Sequence, residues 1–255
     1  MLIDTHSHIY LPEFDEDRPD VISRAKAAGV QHIVLPNVDR ETLEPMWALE
    51  ATEPDYFHAA IGLHPTSVNA DFRNDLAWVQ SELERRPYCA VGEIGIDLYW
   101  DTTFHTQQVK AFEQQLQWAI DYNLPVIIHQ RNAFEDVIAC VEKFKGKPLH
   151  GIFHSFGGTL EEAQQLFSLG NFYLGINGVV TFKNSKLGDV LRQLSLENLV
   201  LETDSPYLTP VPYRGKRNES AYVLLVAQKL ADIYRQPAND IIEITGRNAR
   251  NLFKL

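Results

Sequence analysis

Eight short apolar runs, each followed by an amphipathic stretch, constrain this chain more than any other feature of its sequence. The strand-like runs are Leu2 to Thr5, His32 to Leu35, His58 to Ile61, Tyr88 to Val91, Val126 to Ile128, Gly151 to Phe153, Phe172 to Gly175 and Leu199 to Leu201. Between and after them apolar residues recur at three and four, as in Leu76, Val79 and Leu83, or Val109, Phe112 and Leu116, or Val223, Val226 and Leu230. That spacing lines one face of a helix. Pro125 before the fifth run and Gly170 before the seventh act as helix stops. Alternating strands and helices imply a parallel sheet. An open doubly wound sheet satisfies the same pattern, but the count of eight and the placement of polar residues favour a closed (β/α)8 TIM barrel. Two helical stretches follow the eighth run, Glu219 to Tyr234 and Ala238 to Asn251, so an extra C-terminal helix is expected. The 255 residues match the length of one such barrel, typically about 250. No linker or charge block divides them, which predicts a single domain over residues 1–255.

Composition excludes several classes. With 45% hydrophobic and 22% charged residues, the chain can bury a large core. A net charge of −11 argues against a broad basic surface for sequence-independent nucleic-acid binding. Local cationic clusters remain, Lys183 with Lys186 and Arg214 with Lys216 and Arg217. No stretch approaches the roughly 20 apolar residues of a membrane span, and the amino terminus enters a strand without a basic or apolar leader. A cytoplasmic location with no membrane association is therefore expected, and nothing points to an obligate protein partner. Cys89 and Cys140, the two cysteines, lie outside any CxxC spacing and read as reduced, buried thiols.

The chemistry lies in where His and acidic residues fall. His6 and His8 follow the first run, Glu93 the fourth, His129 the fifth, His154 the sixth and Asp204 the eighth. In a barrel the C-terminal strand ends converge on one mouth, so residues scattered over the sequence become neighbours. His6 and His8 are two apart and project to one side of an extended strand. Asp4 shares that side and is expected to orient His6 from behind, with Glu202 standing in the same relation to Asp204. Six nitrogen and oxygen donors exceed the needs of one tetrahedral ion and suit two divalent ions bridged by a carboxylate. Glu93 is the expected bridge. A lone His at a strand end is more often a structural hydrogen-bonding group than a ligand, and that reading applies to His32, His58, His105 and His150. His64, after the third run, faces the mouth and is expected to contact substrate.

At these residues the chain resembles the TatD family of metal-dependent deoxyribonucleases, within the amidohydrolase-like barrel superfamily. The resemblance runs end to end through Asp4-Thr5-His6-Ser7-His8, Gly62-Leu63-His64-Pro65, Gly92-Glu93-Ile94-Gly95-Ile96-Asp97 and Pro125 to Arg131. It continues through His154-Ser155-Phe156-Gly157-Gly158, Glu202-Thr203-Asp204-Ser205-Pro206 and Arg214-Gly215-Lys216-Arg217-Asn218-Glu219. It implies that His6, His8, Glu93 and Asp204 hold one ion, and Glu93, His129 and His154 the other. It further implies hydrolysis of DNA phosphodiesters, described in the family as 3′-5′ exonuclease and endonuclease action. Asn132 and Ser220 depart from the family's frequent Asp and Pro.

Four imidazoles favour Zn²⁺ or Mn²⁺ over Mg²⁺, which prefers oxygen ligands, although the family is described as working with Mg²⁺. Such ions lower the pKa of water. Asp204 is the expected general base, with Glu93 its catalytic partner. His64, Arg131, Arg214 and Asn218 are the expected substrate contacts, and single-stranded DNA ends the expected partner. Tyr99, Trp100, Phe156 and Tyr207 lie in mouth loops, where an unpaired base can stack. The alternative is a hydrolase of a small amide, ester or other phosphate substrate on the same barrel.

Overall fold

A computed structural model describes residues 1–255. Its strands are β1 (Leu2–Asp4), β2 (Val30–Pro36), β3 (Phe57–Ile61), β4 (Ala90–Asp97), β5 (Val126–Arg131), β6 (His150–Phe153), β7 (Asn171–Ile176) and β8 (Leu199–Leu201). The helices are α1 (Arg18–Ala27), α2 (Arg40–Thr52), α3 (Phe72–Arg85), α4 (His105–Asp121), α5 (Phe134–Glu142), α6 (Leu160–Leu169), α7 (Leu187–Leu191), α8 (Val223–Tyr234) and α9 (Ala238–Phe253). The strands form one parallel sheet in sequence order, β1 to β8. This is the expected (β/α)8 barrel with its additional C-terminal helix. No helix is long and apolar enough to cross a membrane.

Side chains alternate between the two faces of each strand. Ile33, Leu35, Val126, Ile128, Leu199 and Leu201 join a large cluster with the helices. Their alternates Val34, Ile127 and Val200 join Ile3, Ala60, Ala90 and Ile152 in a smaller one whose helical members, Ala249, Leu252 and Phe253, all come from α9. The first is the layer between sheet and helices, and the second is the barrel interior. The additional helix therefore supplies apolar side chains to the interior core.

The seam between β1 and β8 is sealed beyond the strands themselves. Thr5 N and Oγ1 both donate to Leu201 O at 3.0 Å, Asp204 N donates to His6 O at 2.9 Å, and His8 N donates to Ser205 O at 2.8 Å. Ser7 and Ser205 form a parallel bridge, their hydroxyls 2.7 Å apart.

One strand differs from expectation. The fourth run was expected to end at Val91, whereas β4 continues to Asp97. Gly92 and Glu93 break the apolar pattern, and the β4–β5 register shifts between Val91 and Ile94. A bulge of this kind re-aims a side chain, and here the bulge contains Glu93. Cys89 is only half-buried, whereas Cys140 is buried, and both are free thiols.

Gly95 pairs with His129 in the β4–β5 ladder. Its φ is +149°, and a Cβ there would lie 1.9 Å from the His129 carbonyl oxygen. Replacing Gly95 with Ala is predicted to cost about 3 kcal/mol or more, lowering Tm by roughly 6–12 °C for a chain of this size. A thermal melt within about 2 °C of the parent would contradict this close approach.

Candidate metal centre

The strand order brings the six donors of the sequence together. His6 Nε2 lies 3.1 Å from Glu93 Oε2 and 3.7 Å from Asp204 Oδ1. His8 Nε2 lies 3.1 Å from His6 Nε2, 3.7 Å from Glu93 Oε2 and 3.6 Å from Asp204 Oδ1. His154 Nε2 is 3.8 Å from Glu93 Oε1 and 3.7 Å from Asp204 Oδ1, and its ring stacks on His6 with centroids 3.5 Å apart. His129 Nδ1 meets Glu93 Oε1 at 2.8 Å. Three groups of donor atoms, those of His6, His8 and Glu93, of His64, Glu93 and His129, and of His6, His154 and Glu202, each lie within 4.8 Å of one another. A cavity of about 680 Å³ opens over His8, Glu93, His129, His154 and Asp204.

Hydrogen bonds made away from the cluster set which ring nitrogens face it with a lone pair. Tyr10 gives its proton to the Pro36 carbonyl and so accepts from His8 Nδ1 at 2.9 Å, leaving Nε2 of His8 as the lone pair. His129 Nε2 meets Asp97 Oδ2 at 2.9 Å, and His154 Nδ1 lies 3.0 Å from Glu202 Oε1. A carboxylate or hydroxyl behind a ring is how metal-ligating imidazoles are oriented. His64 is the opposite case. The backbone N–H of Thr66 donates to His64 Nδ1 at 3.2 Å, so Nε2 carries the hydrogen and faces the cavity as a donor. The donor set fits divalent cations, because three lone pairs and two carboxylates converge in a buried space where they otherwise face only one another.

Charge follows the same geometry. Burial alone would raise the Glu93 carboxyl, but His6, His64, His154 and the bond from His129 outweigh it and hold it well below the usual range. Burial likewise opposes charge on His129 and His154. Asp97 and Glu93 raise the first to about 9, and Glu202, Asp204 and Glu93 raise the second to about 10. Binding a cation at these rings must displace those protons.

Several expected roles are corrected. Asp4 does not back the His6 ring. Its carboxylate accepts from Thr203 N at 2.9 Å and Thr203 Oγ1 at 2.7 Å, and His6 Nδ1 is buried without a partner. Glu202 serves His154 rather than Asp204, and also accepts from Ser155 N at 2.7 Å. Asn218 is fully buried, with its amide bonded to the carbonyls of Thr203 at 2.8 Å and Tyr207 at 2.6 Å, so it cannot touch substrate. Arg214 lies outside the cavity lining and stacks on Phe182, 3.8 Å from guanidinium carbon to ring centroid. Arg217 is neutralised by Asp17 at 2.7 Å. Arg131 and His64 do line the cavity. His32 bonds His58 at 2.9 Å, His105 bonds Asp136 at 3.0 Å and His150 bonds the Pro148 carbonyl at 3.0 Å, each apart from the cluster. Asp97 is the residue that sequence reasoning missed. Its signal was the alternation Glu93, Gly95, Asp97, which puts both carboxylates on one face of a strand taken to end earlier.

Comparison with known proteins gives this arrangement a lineage. A family model described as TatD related DNase matches residues 3–254. The chain belongs to that family and is a hydrolase. A Bacillus subtilis relative, named as the uncharacterized metal-dependent hydrolase YabD, is 40% identical over 257 residues and the match covers all of both chains. The 3′-5′ ssDNA/RNA exonuclease TatD of Edwardsiella piscicida is 32% identical over 249 residues, covering 95% of each. The crystal structure of the TatD homologue YjjV from Escherichia coli superposes with a TM-score of 0.91 at 33% identity, covering 100% of this chain and 98% of that one.

In this TatD-family chain, replacing Asp97 with Asn is predicted to drop the His129 pKa from about 9 toward neutrality, because the charged partner is lost. NMR titration of the imidazole C–H signals in metal-stripped protein reads this directly. An unchanged His129 titration would remove Asp97 from the centre.

Proposed function

We propose that the chain is a divalent-metal-dependent phosphodiesterase that trims the 3′ ends of single-stranded nucleic acid, DNA above all. The observation that carries the reading is the division of Glu93. Its Oε2 faces His6 and His8, and its Oε1 faces His129, His64 and His154. A carboxylate whose two oxygens serve separate imidazole groups suits a bridge between two ions. On this reading His6, His8, Glu93 and Asp204 hold one ion, and Glu93, His129 and His154 the other. The activity named for the Edwardsiella relative supports the substrate class.

The bound ions would lower the pKa of water and polarise a phosphoryl oxygen. The remaining work falls to the chain. Asp204, partly open to the cavity, accepts the proton of the attacking water; burial would raise its carboxyl, but His154, His8 and His6 hold it below its ordinary range and so ionised. His64 presents its Nε2–H to a non-bridging oxygen of the phosphate, and Arg131 offers a fixed cation at the same rim. Asp97 and Glu202 hold His129 and His154 in place.

The test is digestion of a single-stranded oligodeoxynucleotide by metal-stripped protein reloaded with Mg²⁺, Mn²⁺ or Zn²⁺. Asp204→Asn is predicted to lower kcat about 100- to 10,000-fold with metal still bound, and Glu93→Ala to abolish both turnover and metal uptake. Digestion indifferent to chelator, or to Glu93→Ala, would overturn the reading.

A further inference from the structure

Trp100 lines the cavity with Tyr99 packed beside it, both exposed, and the hydrolytic centre gives them no task. Trp100 is 70% exposed and Tyr99 52%. Their rings meet edge to face with centroids 4.9 Å apart. Arg131, from the end of β5, lays its guanidinium over both, 3.7 Å from the Tyr99 centroid and 5.1 Å from that of Trp100. Arg24 and Arg217 are paired with Glu219 and Asp17, whereas the Arg131 charge rests on the two rings alone. An indole left in water beside an uncompensated cation is a surface suited to an anionic, aromatic ligand.

The platform is tied to the cluster by one side chain. Asp97 Oδ2 meets His129 Nε2 at 2.9 Å, while its Oδ1 accepts from the backbone N–H groups of Tyr99 at 2.9 Å and Trp100 at 3.4 Å. Trp100, Arg131, His129 and Glu93 line the same cavity. Asp97 thereby ties the backbone beneath the two rings to His129.

We infer that Trp100, with Tyr99 and Arg131, forms a stacking subsite for one unpaired nucleobase flanking the phosphodiester at the cluster. The inference rests on the nuclease reading above and names the residues that seat a base of its substrate. Every base has a π-face, so stacking tolerates sequence. A base inside a duplex has both faces covered by its neighbours, and a blunt terminal base bares one face but is held by its pairing, so the subsite favours frayed or single-stranded ends over duplex. Arg131 adds a donor fork for the adjoining phosphate.

The test compares two single-stranded oligodeoxynucleotides of equal length, one carrying abasic residues at its last few 3′ positions. In metal-loaded protein, Trp100→Ala is predicted to lower kcat/KM on the normal strand about 5- to 100-fold, and far less on the abasic strand. Trp100→Phe should restore most of the loss, since it keeps an aromatic face. In Mg²⁺-loaded Asp204→Asn, the normal strand should quench tryptophan fluorescence, and the added Trp100→Ala change should remove that quench. Equal losses on both strands, no loss on either, or a quench that survives Trp100→Ala would overturn the subsite while leaving the nuclease reading intact. Parent protein that cleaves neither strand with any of the three metals would overturn both.

Discussion

The constraint on which the structure depends is closure of the barrel between its first and last strands. β1 and β8 are three residues each, too short to zip the sheet shut by themselves. The rungs that finish the seam run through Thr5, His6, His8, Asp204 and Ser205, so the same backbone bonds close the fold and position the cluster. The buried Asp4 carboxylate fastens the same seam from β1 to Thr203. Asn218 braces the loop that follows β8 through the Thr203 and Tyr207 carbonyls, and so holds the segment that carries Asp204. Asp204 adopts a left-handed backbone with φ of 57°, a conformation that needs such support from its surroundings.

Around that seam, the centre is built as pairs of groups. Tyr10 backs His8 and Asp97 backs His129 by hydrogen bonds, Glu202 lies 3.0 Å from His154 Nδ1 without hydrogen-bond geometry, and His6 has no partner behind it. These partners set tautomers, and tautomers separate lone-pair donors from hydrogen donors on rings that look alike in sequence. His64 and His8 differ in this way, since Thr66 donates to one Nδ1 and Tyr10 accepts from the other. Convergence of so many polar groups in a buried space is costly unless charge balances them. A bound cation would supply that balance at lone pairs which protons otherwise occupy.

Much of this was legible in the sequence, for a physical reason. Strands buried on both faces read as continuous apolar runs, and barrel topology sends every following polar residue to one rim, so the clustering of His6, His8, His129, His154 and Asp204 follows from position alone. The mistakes came where a side chain's partner is distant in the chain or its strand is irregular. The bulge at Glu93 made β4 look finished and hid Asp97. Arg217 read as a free cation because Asp17 is its partner across 200 residues. Asn218 read as a substrate contact because a buried amide that braces two carbonyls carries no sequence signature of its own. Spacing alone also misassigned Asp4 and Glu202, since same-side projection on a strand does not tell which neighbouring strand's group lies beside it.

Anomalous scattering from a crystal grown with Mn²⁺ tests the central claim most directly. The account requires peaks on both sides of the Glu93 carboxylate, each within about 2.0–2.4 Å of its donor atoms, one beside His6 and His8 and one beside His129 and His154. Manganese bound only elsewhere on the protein, or a cluster without a peak at saturating metal, would contradict it.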